Sequence, residues 1–170
     1  MCGIVGIISS KEVSSRIINS LKKLEYRGYD SAGIATLVDG DIKEVKCEGR
    51  VDILEKDINK FNLKGDVGIG HVRWATHGKP SKINAHPHSS EKVSVVHNGI
   101  IENSTILKKF LINKGHNFKS QTDTEVIVHL ITEHLKTDDI VNSIKKTLKS
   151  LHGSFALGII FKDQPDLIVG

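Results

Sequence analysis

Residues 1–7 read MCGIVGI, and a cysteine directly behind the initiator methionine governs how the rest of the chain is read. A small second residue is the usual condition for trimming the first methionine. Loss of Met1 would make Cys2 the amino terminus, with its thiol beside a free α-amine. Such an amine has a pKa of about 7.7–8.0, so it is a weak base near neutral pH. A nucleophile served by its own terminal amine is an established catalytic arrangement. On these seven residues alone, Cys2 also reads as a small buried residue opening an edge strand.

Outward from that start, residues 3–9 alternate as a strand does. Residues 11–25 place Val13, Ile17, Ile18, Leu21 and Leu24 on one helical stripe. AGIATLV (32–38), the turn DGD and IKEVKCE (42–48) predict a hairpin. A short helix follows near 51–58, then a strand ending in GIGHVR (68–73). Residues 74–91 are rich in Gly, Pro, Ser and His without periodicity and predict a long loop, a feature that in compact domains usually serves function. KVSVVHNG (92–99) returns as a strand, and 104–114 as a helix. TDTEVIVHLITEHL (122–135) opens with a capping box from Thr122 to Glu125. DDIVNSIKKTLKSL (138–151) predicts a further helix through Ile140, Val141, Ile144, Leu148 and Leu151, and SFALGIIF and DLIVG close as strands. Strands, helices and strands again, without βαβ alternation, predict layered α+β rather than a doubly wound sheet.

The 170 residues suit one domain with a real core. No run approaches a membrane span, and the start lacks the charged and apolar regions of a signal peptide. Two cysteines, Cys2 and Cys47, make no disulfide framework, so the expected location is a reducing cytoplasm, where a catalytic thiol stays usable. The net charge of +4 raises nucleic-acid binding. Its lysines are scattered over helical faces (Lys22, Lys23, Lys108, Lys109, Lys145, Lys146), and aromatics are only 5% of the chain, too few for stacking platforms. A solvated surface explains the charge better.

The chemistry-bearing residues gather in EYRGYDSAG (25–33), GHVRWATHGKPS (70–81), NAHPH (84–88), VHNGIIEN (96–103) and TDTE (122–125), together with the first seven. A thiol attacking an amide needs donors for the developing oxyanion and groups that hold the substrate. Asn98 offers a side-chain amide, and Gly99 a backbone N–H that a ligand can approach closely. Arg73 is a fork for a carboxylate, and Asp123, at a helix start, can receive an ammonium. Each also has a plainer role: a turn at HNG, a helix-terminal carboxylate at Asp123, a surface charge at Arg73, a core ring at Trp74. Nine histidines suggest a metal at His86 and His88, perhaps with His77, but HExxH and CxxC spacings are absent, so no metal is expected. The glycines of GDVGIG form no phosphate-binding fingerprint.

MCGIVG, LEYRGYDSAG, HVRWATHG, NAHPH, VHNGIIEN and TDTEV together resemble the glutaminase domain of the glutamine–fructose-6-phosphate aminotransferases (isomerising), within the class II glutamine amidotransferases. The resemblance spans essentially the whole chain in matching order. The purine-pathway phosphoribosyl amidotransferases instead resemble HRGQESAG and RYST, where this chain has YRGYDSAG and RWATHG. The resemblance implies an N-terminal-nucleophile hydrolase fold, an αββα sandwich of two antiparallel sheets between helical layers. It implies Cys2 as nucleophile, Asn98 and Gly99 as oxyanion hole, and Arg73, Thr76, His77 and Asp123 on L-glutamine. Trp74 falls on the ammonia gate, with Arg27 and His86 supporting the site; no cofactor is implied.

Family members continue into two sugar-isomerase domains that bind fructose 6-phosphate and form the expected homodimer. Residues 2–170 therefore correspond to a glutaminase domain that stops short at its C-terminal end, without those partner domains. Two readings of different class follow. One is a glutaminase releasing ammonia for glucosamine 6-phosphate synthesis, with another class II acceptor as its neighbour. The other is a non-catalytic fragment of the same fold.

Overall fold

The computed structural model describes residues 2–58, 60–75 and 78–169. Met1, Thr76 and His77 lie outside the described residues, and with them the expectations for methionine removal and for two glutamine-binding positions.

The elements follow the sequence pattern closely. Strand β1 (Gly3–Ile8) leads to helix α1 (Ser14–Leu24), and a 3-10 turn (Glu25–Arg27) leads to β2 (Ser31–Val38) and β3 (Asp41–Glu48). Helix α2 (Val51–Ile58), β4 (Val67–Arg73), β5 (His88–Ser89) and β6 (Val93–Gly99) come next, then α3 (Ser104–Asn113), α4 (Thr124–His134), α5 (Ile140–Ser150), β7 (Phe155–Phe161) and β8 (Gln164–Val169). The first sheet has the order β1-β4-β2-β3 and the second β5-β6-β7-β8, with every pairing antiparallel.

Three apolar clusters define four layers. Val13, just ahead of α1, and Ile17, Ile18 and Leu21 of α1 pack with Val51 and Leu54 of α2 on the outer face of the first sheet. Ala35, Leu37, Val67 and Ile69 meet Val96 and Ile160 between the sheets. Val126, Ile127, Leu130 and Ile131 of α4, with Leu111 and Ile144, cover the outer face of the second sheet. This is the αββα sandwich expected above. Burial on both faces explains why β2 and β4 are buried along their whole length. The glycines of GDVGIG are packing residues: a Cβ on Gly70 would lie 2.4 Å from Ile17 Cγ2 and one on Gly68 2.8 Å from Ile17 Cδ1, so their absence seats α1 directly on β4.

Three local expectations are corrected. Helix α4 begins after Asp123, not Thr122, and the Thr122–Glu125 capping box does not form. Glu125 instead folds back to accept the N–H groups of Lys119 (2.7 Å) and Ser120 (2.6 Å) and the Ser120 hydroxyl, while Thr122 Oγ1 meets Ser120 Oγ and His88 Nε2. On α5 the buried stripe is Ser143, Ile144 and Thr147; Val141 and Leu148 are exposed, because only one narrow side of the helix reaches α4. The loop after β4 is interrupted by β5, where His88 pairs with Val95.

Candidate active site

Strand β1 begins immediately after Cys2, at the edge of the first sheet, and β4 lies beside it with Gly3 opposite Val72. This register sets the cysteine against the chain that leaves β4. The Trp74 N–H donates to Cys2 Sγ (3.3 Å), and the thiol points back at the Trp74 carbonyl (3.6 Å). Across the sandwich, Asn98 is the penultimate residue of β6, and its Nδ2 donates to the Cys2 carbonyl at 3.2 Å; Arg27 Nε donates to the same oxygen at 3.3 Å. Burial pushes the Cys2 thiol up, opposed by the Trp74 N–H and the Arg73 charge.

Cys2 opens onto a cavity of about 210 Å³. Arg73, Trp74, His86, Asn98, Gly99 and Asp123 of the expected set line it, so the fold brings together residues spread over 122 positions of sequence. Arg73 is buried rather than a surface charge: its guanidinium donates to the Gly78 (3.2 Å) and Lys79 carbonyls, and Asp30 Oδ1 lies 3.9 Å away. Asp30 also takes the Ala75 N–H and the Ser31 hydroxyl, so EYRGYDSAG braces the β4 exit. Gly28 of that motif has no room for a Cβ, which would sit 2.6 Å from the Arg73 carbonyl. Trp74 is half exposed, not core, and meets Tyr29 edge-on with ring centroids 5.5 Å apart.

On the far wall, Asp123 Oδ2 accepts the Ile101 N–H at 2.8 Å. Gly99 has φ +138°, and a Cβ there would lie 2.2 Å from the Ser154 carbonyl, so only glycine lets the chain turn beside Asn98. Arg27 stands outside the main cavity, in a second cleft beyond Cys2 with Gly3, Leu24 and Asn98.

The sequence reading missed His71, His97, Thr122 and Thr124. His86 Nε2 and His97 Nδ1 both contact the Thr124 hydroxyl (2.7 and 2.9 Å), His71 Nε2 donates to the His97 carbonyl (2.9 Å), and the His71 and His86 rings stack at 4.2 Å. Burial lowers His71 and His88 to about 3 and His86 well below its ordinary value. Among the described residues, no group of three or more His, Cys, Asp or Glu side chains is arranged to hold a metal ion. No helix of the described residues is long and apolar enough to cross a membrane.

Residues 71–170 match the glutamine amidotransferase domain family. The chain belongs to that family. It is 52% identical over 171 residues to the glutamine–fructose-6-phosphate aminotransferase (isomerizing) of Caldanaerobacter subterraneus subsp. tengcongensis, covering 99% of this chain and 28% of that protein. The enzyme of the same name from Zymomonas mobilis subsp. mobilis is 49% identical, covering 100% and 28%. The glutamine phosphoribosylpyrophosphate amidotransferase of B. subtilis, solved with ADP and GMP, superposes with a TM-score of 0.82 at 30% identity over 95% of this chain and 35% of that one. The chain thus spans little more than a quarter of its curated relatives' length. As an amidotransferase domain with the N-terminal-nucleophile fold, it carries Cys2 where that class carries its nucleophile.

Proposed function

We propose that this domain is the glutaminase part of a glutamine–fructose-6-phosphate aminotransferase and hydrolyses L-glutamine to glutamate and ammonia. The observation that carries the reading is one cavity in which a cysteine thiol shares walls with a buried guanidinium and a buried carboxylate, Arg73 and Asp123. Those charges complement the α-carboxylate and α-ammonium of a free amino acid. Cys2 Sγ attacks the side-chain amide carbon while the freed α-amine takes the thiol proton. Asn98 Nδ2 and the Gly99 N–H receive the oxyanion. The proton passes to the leaving nitrogen, ammonia departs, and water cleaves the thioester to glutamate. Thr76 and His77 add contacts to glutamine in this reading, and Trp74 gates the ammonia. The relatives' remaining length supplies sugar-isomerase domains that take the ammonia to fructose 6-phosphate and pair as a homodimer, in a reducing cytoplasm.

The test is labelling with a glutamine analogue that carries an electrophile in place of the amide. Modification of Cys2 with Cys47 untouched, blocked by excess glutamine, supports the reading; equal labelling of both cysteines overturns it. Cys47 is the internal control, being buried in β3 with its thiol on the Arg50 carbonyl.

A further inference from the structure

Asn84 opens NAHPH and is buried, yet it does not line the cavity. A turn sets it in place: its own N–H and that of Ala85 reach the Ser81 carbonyl at 3.2 and 3.0 Å. Its side chain bridges two other segments. Nδ2 donates to the Lys79 carbonyl at 2.9 Å, and Oδ1 accepts the Gln121 N–H at 2.9 Å. A carbonyl oxygen can only accept and a backbone N–H can only donate, so these two partners fix which way the amide faces. The second proton on Nδ2 goes to Gln121 Oε1 at 3.2 Å.

The two segments so joined carry the two charges of the cavity. Lys79 lies in the loop that leaves Arg73, and the carbonyls of Gly78 and Lys79 accept from the Arg73 guanidinium at 3.2 and 3.5 Å. Gln121 stands two residues ahead of Asp123. Arg73 ends β4 in the first sheet, whereas Asp123 precedes α4, which covers the second sheet. A hydrogen-bonded chain therefore runs between their segments, from the Arg73 guanidinium through the Lys79 carbonyl and the Asn84 amide to the Gln121 N–H. The joint is closely packed: at Gly78, with φ +75°, a Cβ would lie 2.8 Å from Gln121 Cβ and 2.9 Å from Asn84 Nδ2. We propose that Asn84 is a positioning residue: its amide sets the separation of Arg73 and Asp123, and so matches the cavity to a ligand bearing a carboxylate and an ammonium on one carbon. The inference rests on the glutaminase reading for the identity of that ligand. A preset separation favours only a ligand that engages both charges, because both contacts then form without reordering the walls. A ligand with one of the two charges gains nothing from it.

The experiment measures how three ligands protect Cys2 from iodoacetamide in the full chain: L-glutamate with both α-charges, glutarate without the ammonium, and 4-aminobutyrate without the α-carboxylate. Wild type, Asn84→Ala and Asn84→Asp are compared, with glutamine turnover measured alongside. Asn84→Ala removes the bridge, while Asn84→Asp keeps the acceptor for Gln121 and loses the donor to Lys79. Both variants weaken protection by L-glutamate about tenfold, the scale of one lost hydrogen bond, and leave the other two ligands within about threefold. Alkylation without ligand stays unchanged. Wild-type protection by L-glutamate in a folded Asn84→Ala overturns the proposal. So does an equal loss for all three ligands, which a general loosening of the site would give. If Asn84→Ala does not fold, Asn84→Asp, which fills the same space, is read by the same comparison. If neither folds, Asn84 belongs to the fold and not to the site, and the proposal falls. A wild type that turns over no glutamine overturns the glutaminase reading, and the protection pattern then decides Asn84 alone; no protection by L-glutamate overturns both.

Discussion

Trp74 and Cys2, 72 residues apart, are joined twice: the Trp74 N–H reaches the sulfur at 3.3 Å and the sulfur reaches the Trp74 carbonyl at 3.6 Å. The first contact favours a thiolate and the second a thiol, and burial favours the thiol. The expected result is a Cys2 alkylation rate that climbs through the alkaline range with a midpoint above that of an ordinary cysteine, followed site by site by mass spectrometry. A midpoint below the ordinary value would mean that the N–H and Arg73 outweigh burial.

Asn98 is held ready by its bond to the Cys2 carbonyl. If its amide serves the oxyanion, Asn98→Ala lowers kcat on the order of 100- to 1000-fold and changes KM little, because that bond strengthens only as charge develops. A change confined to KM would make Asn98 a ground-state binder.

Gly28 shows why a motif glycine far from the nucleophile matters. An added methyl would press 2.6 Å from the Arg73 carbonyl and 2.8 Å from the Trp74 nitrogen, both backbone atoms. Gly28→Ala should cost about 1–3 kcal/mol of stability, the usual range for overpacking, and lower turnover by displacing the peptide that holds the sulfur. Denaturant unfolding matching wild type would show that the contact relaxes freely.

The elements were legible because their periodicity is local. Val13, Ile17, Ile18 and Leu21 announce α1 four positions at a time, and all four are buried. The site was legible only where a residue's chemistry is unusual for its place, as with Cys2 behind Met1 or the HNG turn. Thr124, His71 and His97 carry no such mark. Their meeting depends on β4 and β6 facing each other from different sheets, a long-range relation with no period in the sequence. The capping box failed for a related reason: Glu125 found two N–H groups at Lys119 and Ser120, outside the four-residue window in which the motif is read. Val141 and Leu148 satisfy the helical stripe of α5 yet stay exposed, since a stripe fixes which residues share a face and not how wide the partner surface is.

The buried imidazoles make stability depend on pH. His71 lies against His97 and Arg73, and His88 against Lys46, His71 and Arg73, with Glu125 alone favouring its charge. In the unfolded chain each binds a proton near pH 6.5, whereas in the fold binding waits until about 3. Between those values the unfolded state holds more protons, so stability rises with pH and is lost as pH falls below about 6.5. At pH 5 each of the two costs about 2 kcal/mol relative to neutral pH, and His86 adds in the same direction. Together that is a large share of a typical total of about 5–15 kcal/mol. Denaturant midpoints should fall sharply from pH 7.5 to pH 5, and equal midpoints would show that the cluster is not held neutral.

Asp123 has two tasks that one substitution can separate. Its Oδ2 holds the Ile101 N–H at 2.8 Å, a structural bond, and the residue also lines the cavity, with Oδ1 4.0 Å from His97 Nδ1. Asp123→Ala removes both and leaves a buried N–H unsatisfied, at about 1–3 kcal/mol. Asp123→Asn keeps a carbonyl oxygen for Ile101 and removes only the charge. If the charge reads the substrate ammonium, wild type rejects N-acetylglutamine strongly, because capping the amine strands a buried carboxylate without its partner. Asp123→Asn should then fold with near wild-type stability, turn over glutamine poorly in both kcat and KM, and discriminate far less between the free and capped substrates. If Arg73, which lines the same cavity, holds the α-carboxylate, that hold persists in the variant, so glutaric acid monoamide, which has the amide and carboxylate but no amine, should lose its disadvantage as well. Normal glutamine turnover by Asp123→Asn would reduce Asp123 to the anchor of Ile101 and the start of α4.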